Sequence, residues 1–367
     1  MKSSKTILTL DAGGTNFVFS AIKDEQQIVE PIRLPAQAHD LDLCLENLVK
    51  GFRAVIDEID DQPDAISFAF PGPADYPNGI IGNLPNFKAF NGGVAMGPML
   101  EDEFGIPVFI NNDGDLFAYG EALTGLLPSI NQKIAESGNT KRFKNLVGVT
   151  TGTGFGGGIV IDGQLLSGDN SCGAEVHNLQ NPFNLEWNAE ESVSTRAIQR
   201  VYASRAGLDF DDTLMPGDIY EIAKGNKVGN QQAAVASFED FGKALGCSIA
   251  NALTLIDGIV VIGGGITGAW DLFATAMFEE LNRHYKNFRG KVANRLSFDI
   301  YNLEDESEAQ KFIKGNPKQI QVPGSNRSIL HDDTSRVGVG KSKLGASHAV
   351  SLGAYAFAVQ KLKHQLS

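Results

Sequence analysis

The chain has 367 residues, longer than one typical domain of roughly 100–200 residues, and predicts two domains. Its hydrophobic residues, 42%, and charged residues, 20%, are ordinary globular values that provide a core for each half. A net charge of −13 argues against nucleic acid and anionic membrane as partners, because binding either requires a basic footprint.

In chain order, residues 6–10 are rich in β-formers, Asp11-Ala12-Gly13-Gly14-Thr15 is a tight loop, and residues 17–22 form a second strand. Residues 39–59 place Leu41, Leu45, Leu48, Phe52, Val55 and Ile56 at helical spacing. A buried strand follows over 65–70 and stops at Pro71-Gly72-Pro73, and Pro77-Asn78-Gly79 is a turn. Residues 108–111 read as a strand and 114–123 as a helix. The polar stretch 124–144, with Pro128, Gly138 and the basic cluster Lys141, Arg142 and Lys144, predicts a domain boundary or surface insertion. Then the opening pattern recurs: a strand over 146–150, a glycine-rich loop over 151–158, and a strand over 159–161 turning at Asp162-Gly163. A long helix is predicted over 238–255, a strand over 259–262 ending in Gly263-Gly264-Gly265, and a helix from 270 to about 285. Residues 303–345 predict a long irregular insertion, and a helix over 349–363 closes the chain.

The loops carry the chemistry. Gly13 and Gly14 let backbone N–H groups approach an anion without interference from a Cβ, and Thr15 adds a hydroxyl donor. Asp11 can hold magnesium directly or through water; the same residues also suit a plain Gly-Gly turn with a capping Asp. In the second loop, Gly152, Gly154 and Gly157 fit the dinucleotide fingerprint, which requires a helix directly after it. A hairpin follows instead, so Thr151, Gly152 and Thr153 are read as a nucleotide phosphate cradle and not as an NAD site. Gly263, Gly265 and Gly268 match the same pattern between a strand and a helix. A Rossmann site also needs an acidic residue at the next strand tip, about 20 residues on. Glu279 and Glu280 fall within the helix, which favours a packing turn able to carry adenine.

Asn112 and Asp113 follow a strand at the end where ligands bind in α/β sheets, although either could simply cap the next helix. Glu175 and Glu190 can bridge vicinal sugar hydroxyls by accepting two hydrogen bonds. Glu190 could instead open a helix, where acids favour the dipole, and His177 could be a satisfied buried histidine. The three cysteines, Cys44, Cys172 and Cys247, match no metal-ligand spacing and predict reduced thiols in a cytoplasmic protein. No signal peptide and no transmembrane helix are expected.

Taken in order, these motifs resemble the ROK sugar kinases (repressor, open reading frame, kinase) of the superfamily that joins sugar kinases, heat-shock protein 70 and actin. The opening Leu10-Asp11-Ala12-Gly13-Gly14-Thr15 resembles the first phosphate motif, and Phe70-Pro71-Gly72-Pro73 the hinge motif. Asn112-Asp113 with Gly120-Glu121 resembles the catalytic segment, Gly152-Thr153-Gly154 the second phosphate motif, Gly263-Gly264-Gly265 the adenosine motif, and Leu352-Gly353-Ala354 the closing helix. The resemblance implies an α/β fold of two actin-like (ribonuclease H-like) domains with an interdomain active-site cleft. Residues 1–125 plus 347–367 would form one domain, and 126–346, with an insertion around 303–345, the other. It implies ATP-dependent phosphorylation of a hexose, glucose being the first choice, by a cytoplasmic homodimer. Asp113 would be the general base, and Asn112, Glu175, His177 and Glu190 would hold the sugar. Asp11 would work with Mg2+. Gly13, Gly14, Thr15, Thr151, Gly152, Thr153, Gly263, Gly264 and Gly265 would hold ATP.

Two departures stand out. The family's zinc-binding cysteines are missing from residues 179–189, so no structural zinc and a differently braced loop are expected. The usual Glu-x-x-His spacing is shortened to Glu175-Val176-His177. The alternative functions are a non-catalytic sugar sensor or an NAD-dependent Rossmann enzyme. The family's repressors carry an N-terminal helix-turn-helix; with the first strand predicted to start at about Thr6, none is expected here.

Overall fold

The computed structural model describes residues 4–13, 15–72, 74–82 and 90–365. The chain divides into two compact units, one of Met1–Gly125, Leu165–Ala174 and Leu344–Ser367, the other of Leu126–Gln164 and Glu175–Lys343.

In the first unit the strand Thr6–Ala12 pairs antiparallel with Asn16–Lys23 and parallel with Ala65–Ala69, which pairs parallel with Val108–Asn111. Ala65–Ala69 is buried along its whole length, as expected of a strand inside a parallel sheet. Alternation sorts the side chains between the two faces. Leu8 and Leu10 pack with Cys44, Leu48, Phe52 and Val55 of the helix Leu41–Asp57, whose first turn is capped by Asp40. Ile7, Ile22 and Ala65 pack with Leu352, Tyr355 and Ala358 of the closing helix Ala346–Gln365. That helix crosses Asp113–Leu123 so closely that a Cβ on Gly353 would collide with the Leu116 carbonyl.

The second unit repeats the scheme. Leu146–Thr151 pairs antiparallel with Phe155–Ile161 and parallel with Ile259–Gly263, followed by parallel Arg336–Lys341 and Asp299–Asn302. The long helix begins earlier than its apolar stripe suggests, spanning Gln231–Leu255 under an Asn230 cap, and buries Phe238, Phe241, Leu245, Ile249 and Leu253. It packs on Trp270–Leu281, where the Phe241 and Phe273 rings meet edge to face at 5.3 Å. Among the described residues no helix is long and apolar enough to cross a membrane.

Three expectations are corrected. The stretch 124–144, read as a domain boundary or surface insertion, does contain the division between the units after Gly125, but it is not an insertion: it holds the helix Leu126–Glu136, which buries Leu126, Leu127, Ile130 and Ile134 on one face. The helix from 270 stops at Leu281, and His284–Lys286 is a strand. Residues 303–345 are not irregular. They form the helix Glu306–Lys314, the hairpin Pro317–Gln321 with Ser328–Asp332, and the strand Arg336–Lys341. Val337 and Val339 are fully buried inside the main sheet. The polar letters misled because Arg336 lies buried in the fold, its Nη1 donating to Asp332 at 2.7 Å.

Candidate functional site

In the first unit, Asp11, Ala69 and Asn111 are register neighbours across three parallel strands. The loop after Asp11 and the turn after Asn111 therefore leave the same, carboxyl-terminal edge of the sheet. Asp11, Gly13 and Thr15 are exposed there; Gly14 lies outside the described residues. At the neighbouring turn the capping question has an answer. Asn112 is extended, and its Oδ1 accepts from Asp115 N at 2.9 Å, which makes it the N-cap. Asp113 is the first helical residue and is exposed; its Oδ1 accepts from the adjacent Gly114 N at 2.9 Å. The cap is thus filled by the amide, and the carboxylate is presented outward at the sheet edge.

In the second unit the two glycine motifs are side by side. Thr150 and Gly263 are register partners, and Thr151 Oγ1 donates to Gly263 O at 3.2 Å. Gly264 adopts φ 93° against the Thr151 backbone, where a Cβ would collide with the Thr151 carbonyl. Gly264 is followed by the 3-10 turn Gly265–Ala269, which runs into the helix Trp270–Leu281. Gly152 O accepts from both Thr195 N at 2.7 Å and Thr195 Oγ1 at 3.0 Å, so the start of the helix Thr195–Ala206 buttresses the loop holding Thr151, Gly152 and Thr153.

Glu190 does not open a long helix. It sits in the one-turn 3-10 segment Ala189–Glu191, capped by Asn188. Its Oε2 accepts at 3.0 Å from the N–H of Phe155, the residue that opens the strand Phe155–Ile161 straight after the Thr151–Gly154 turn, and its Oε1 from Arg196 Nη2 at 2.9 Å. A Cβ on Gly154 would lie 2.7 Å from Glu190 Oε2, so this approach depends on that glycine. Arg196 also donates to Glu191 Oε1 at 2.7 Å, and this hydrogen bond holds the Glu191 carboxyl below its usual range. Glu175 and His177 flank Val176 on a second 3-10 turn, Val176–Asn178, which packs on the strand Phe155–Ile161 and on the turn of Glu190. His177 Nδ1 lies 2.9 Å from Glu175 Oε2, both side chains half-buried, so His177 is not a buried core histidine. The second unit thus gathers Glu175, His177, Glu190 and the glycine-rich loop.

Sequence reasoning missed Arg196, Glu191 and Thr195. No local pattern marks them, because their partners are named only once the loops are folded together. It also did not anticipate a cavity of about 600 Å³ at the opposite sheet edge, beside Asn145, Gly258 and Ser335, each of which precedes a strand. The buried cations of that cavity, Arg295 and Arg336, are already paired with Glu280 and Asp332.

Among the described residues no three His, Cys, Asp or Glu side chains cluster as metal ligands. Magnesium needs no such cage, since it keeps several waters and takes one or two carboxylates plus substrate phosphates. The exposed carboxylate of Asp11 beside a glycine loop fits that mode of binding.

A profile of the ROK family matches residues 7–297. The crystal structure of a glucokinase from Parabacteroides distasonis ATCC 8503 is 52% identical, covers 98% of each chain, and superposes with a TM-score of 0.89. An N-acetyl-D-glucosamine kinase of Vibrio cholerae serotype O1 is 26% identical over 290 residues, 75% of this chain and 88% of that one. A glucokinase of Thermotoga maritima is 25% identical over 292 residues, 75% of this chain and 86% of that one. With an α/β fold of the actin-like kind and a family profile that spans most of its length, the chain belongs to the ROK family.

Proposed function

We propose that the protein is an ATP-dependent hexose kinase with glucose as the preferred acceptor. The observation that carries this reading is the division of labour at the strand end, where Asn112 caps the helix and leaves the Asp113 carboxylate exposed. Asp113 acts as general base: it takes the proton of the attacking sugar hydroxyl as that oxygen bonds to the γ-phosphorus and the bond to the ADP oxygen breaks. Asn112, Glu175, His177 and Glu190 hold the sugar. Gly13, Gly14 and Thr15, with Thr151, Gly152 and Thr153, offer N–H and hydroxyl donors to the phosphates, and Gly263, Gly264 and Gly265 shape the adenosine seat. Asp11 would hold magnesium, which when bound would supply charge neutralisation. Such a reaction needs positioning and neutralisation more than covalent help.

The glucokinase similar at 52% identity supports glucose over the N-acetylated sugar of the relative at 26%. A coupled ADP-release assay over glucose, mannose, fructose, allose and N-acetylglucosamine tests the reading. The highest kcat/KM is expected on glucose. A higher value on N-acetylglucosamine would move the acceptor, and no ADP release with any sugar would leave a sugar sensor without kinase activity.

A further inference from the structure

The turn that carries Glu190 is held by a side chain outside the machinery named above. Asn181 is fully buried, and its amide makes four hydrogen bonds. Its Nδ2 donates to Asn188 O at 2.9 Å and to Ser192 Oγ at 2.8 Å. These two residues flank the turn Ala189–Glu191, one on each side. Its Oδ1 accepts from Phe183 N at 2.9 Å and Asn184 N at 3.2 Å. Backbone N–H groups can only face the oxygen of an amide, so these partners set its orientation. The main chain closes the same loop: Asn181 N donates to Trp187 O at 3.2 Å and Ala189 N to Leu179 O at 2.7 Å. A buried polar group with every partner in place rigidifies its surroundings, and losing partners carries the full desolvation penalty.

We propose that Asn181 is a positioning residue: by clamping both ends of the Ala189–Glu191 turn, it fixes Glu190 against the glycine-rich loop. Glu190 then carries the effect onward through its bond from Phe155 N. The consequence for sugar affinity rests on the hexose-kinase reading; the clamp itself does not.

The test has two readouts. One is hydrogen exchange of the peptide containing Phe155, followed by mass spectrometry, which needs no substrate. The other is the sugar KM. Asn181→Ala removes the amide, Asn181→Asp keeps the shape and the acceptor but loses the donor, and Glu190→Ala removes the group through which Asn181 acts. Each Asn181 variant is expected to speed exchange at Phe155 and to raise the sugar KM, both by about tenfold. On a Glu190→Ala background the Asn181→Ala change should add less than about twofold, since residues acting through one group are not additive. Equal factors in both backgrounds would show a structural role only and overturn the proposal. So would unchanged exchange and KM in Asn181→Asp, which also carries the test if Asn181→Ala does not fold. A wild-type protein that phosphorylates no hexose, with Phe155 exchange still raised in the variants, would sink the kinase reading and keep the clamp. Normal wild-type turnover with Phe155 exchange unmoved in the variants would do the reverse.

Discussion

At the scale of single residues, the candidate site depends on which of two adjacent polar side chains takes the helix cap. Asn and Asp are near-equal caps, so the letters at 112 and 113 do not settle the choice. Backbone geometry does: Asn112 is extended and reaches Asp115 N, while Asp113 is already helical. Asp113→Asn is therefore expected to lower kcat by about 10²–10⁴-fold, the usual worth of a general base, with sugar binding changed little. Stopped-flow or steady-state kinetics beside calorimetric sugar binding would measure both; near-wild-type kcat would place the base elsewhere. Glu190 shows the opposite case. The sequence marks its carboxylate as a candidate sugar ligand but not its two partners, which lie 35 residues back, at Phe155, and 6 residues on, at Arg196. No sequence period links residues at those separations.

At the scale of elements, the clearest lesson is the strand Arg336–Lys341, hidden within a stretch that reads as polar and loop-like. Its first residue is a buried arginine. Arg336 Nε donates to Phe312 O at 2.7 Å, and the guanidinium sits over the Phe312 ring at 5.3 Å. Burial alone would raise the Asp332 pKa. Hydrogen bonds from Asn139, Arg336 and the Thr334 and Asn316 backbones outweigh burial and hold it well below the usual carboxylate range. A carboxyl depressed in the folded state adds stability above its unfolded pKa of about 3.9, and that stability is lost as pH falls through the lower folded value. Asp332→Asn should thus cost about 3–5 kcal/mol near neutral pH, the scale of breaking a buried pair. The gap in urea-unfolding free energy from wild type should narrow as pH drops below about 4. A gap constant from neutral to acid pH would show that the charge of Asp332 contributes nothing. The segment over 179–189 makes a second prediction. Structural zinc takes four Cys or His ligands as a rule, whereas this loop is tied by the Asn181 amide and by the Arg200 guanidinium stacked on Trp187 at 4.4 Å. Elemental analysis should find no stoichiometric zinc, and one zinc per chain surviving chelation would refute this.

At the scale of the whole molecule, the two units repeat one scheme, a hairpin around a glycine-containing loop followed by parallel strands. A ligand that binds only the folded chain stabilises it by RT ln(1 + [L]/Kd), about 2.7 kcal/mol at a hundredfold excess over Kd. The acceptor hexose should therefore raise the unfolding temperature by roughly 5 °C, and sugars that are not phosphorylated should not. A thermal-shift panel reads this directly; a substrate by turnover that leaves the melting temperature unmoved at saturation would contradict it.

The sequence by itself determined the α/β class, the ROK resemblance, the buried strand at Ala65–Ala69 and the apolar face of the long helix. Each of these is written in local patterns: runs of β-branched and aromatic residues, a 3.6-residue stripe, and glycines where backbone must meet backbone or an anion. Only the tertiary structure decided that Leu126–Glu136 is a packed helix, that Arg336 begins an interior strand, that Asn112 takes the cap from Asp113, and that Asn181 grips the turn of Glu190. The physical reason is common to all four. A polar letter reads as surface until its hydrogen-bond partner is known, and that partner is chosen by the folded chain in space.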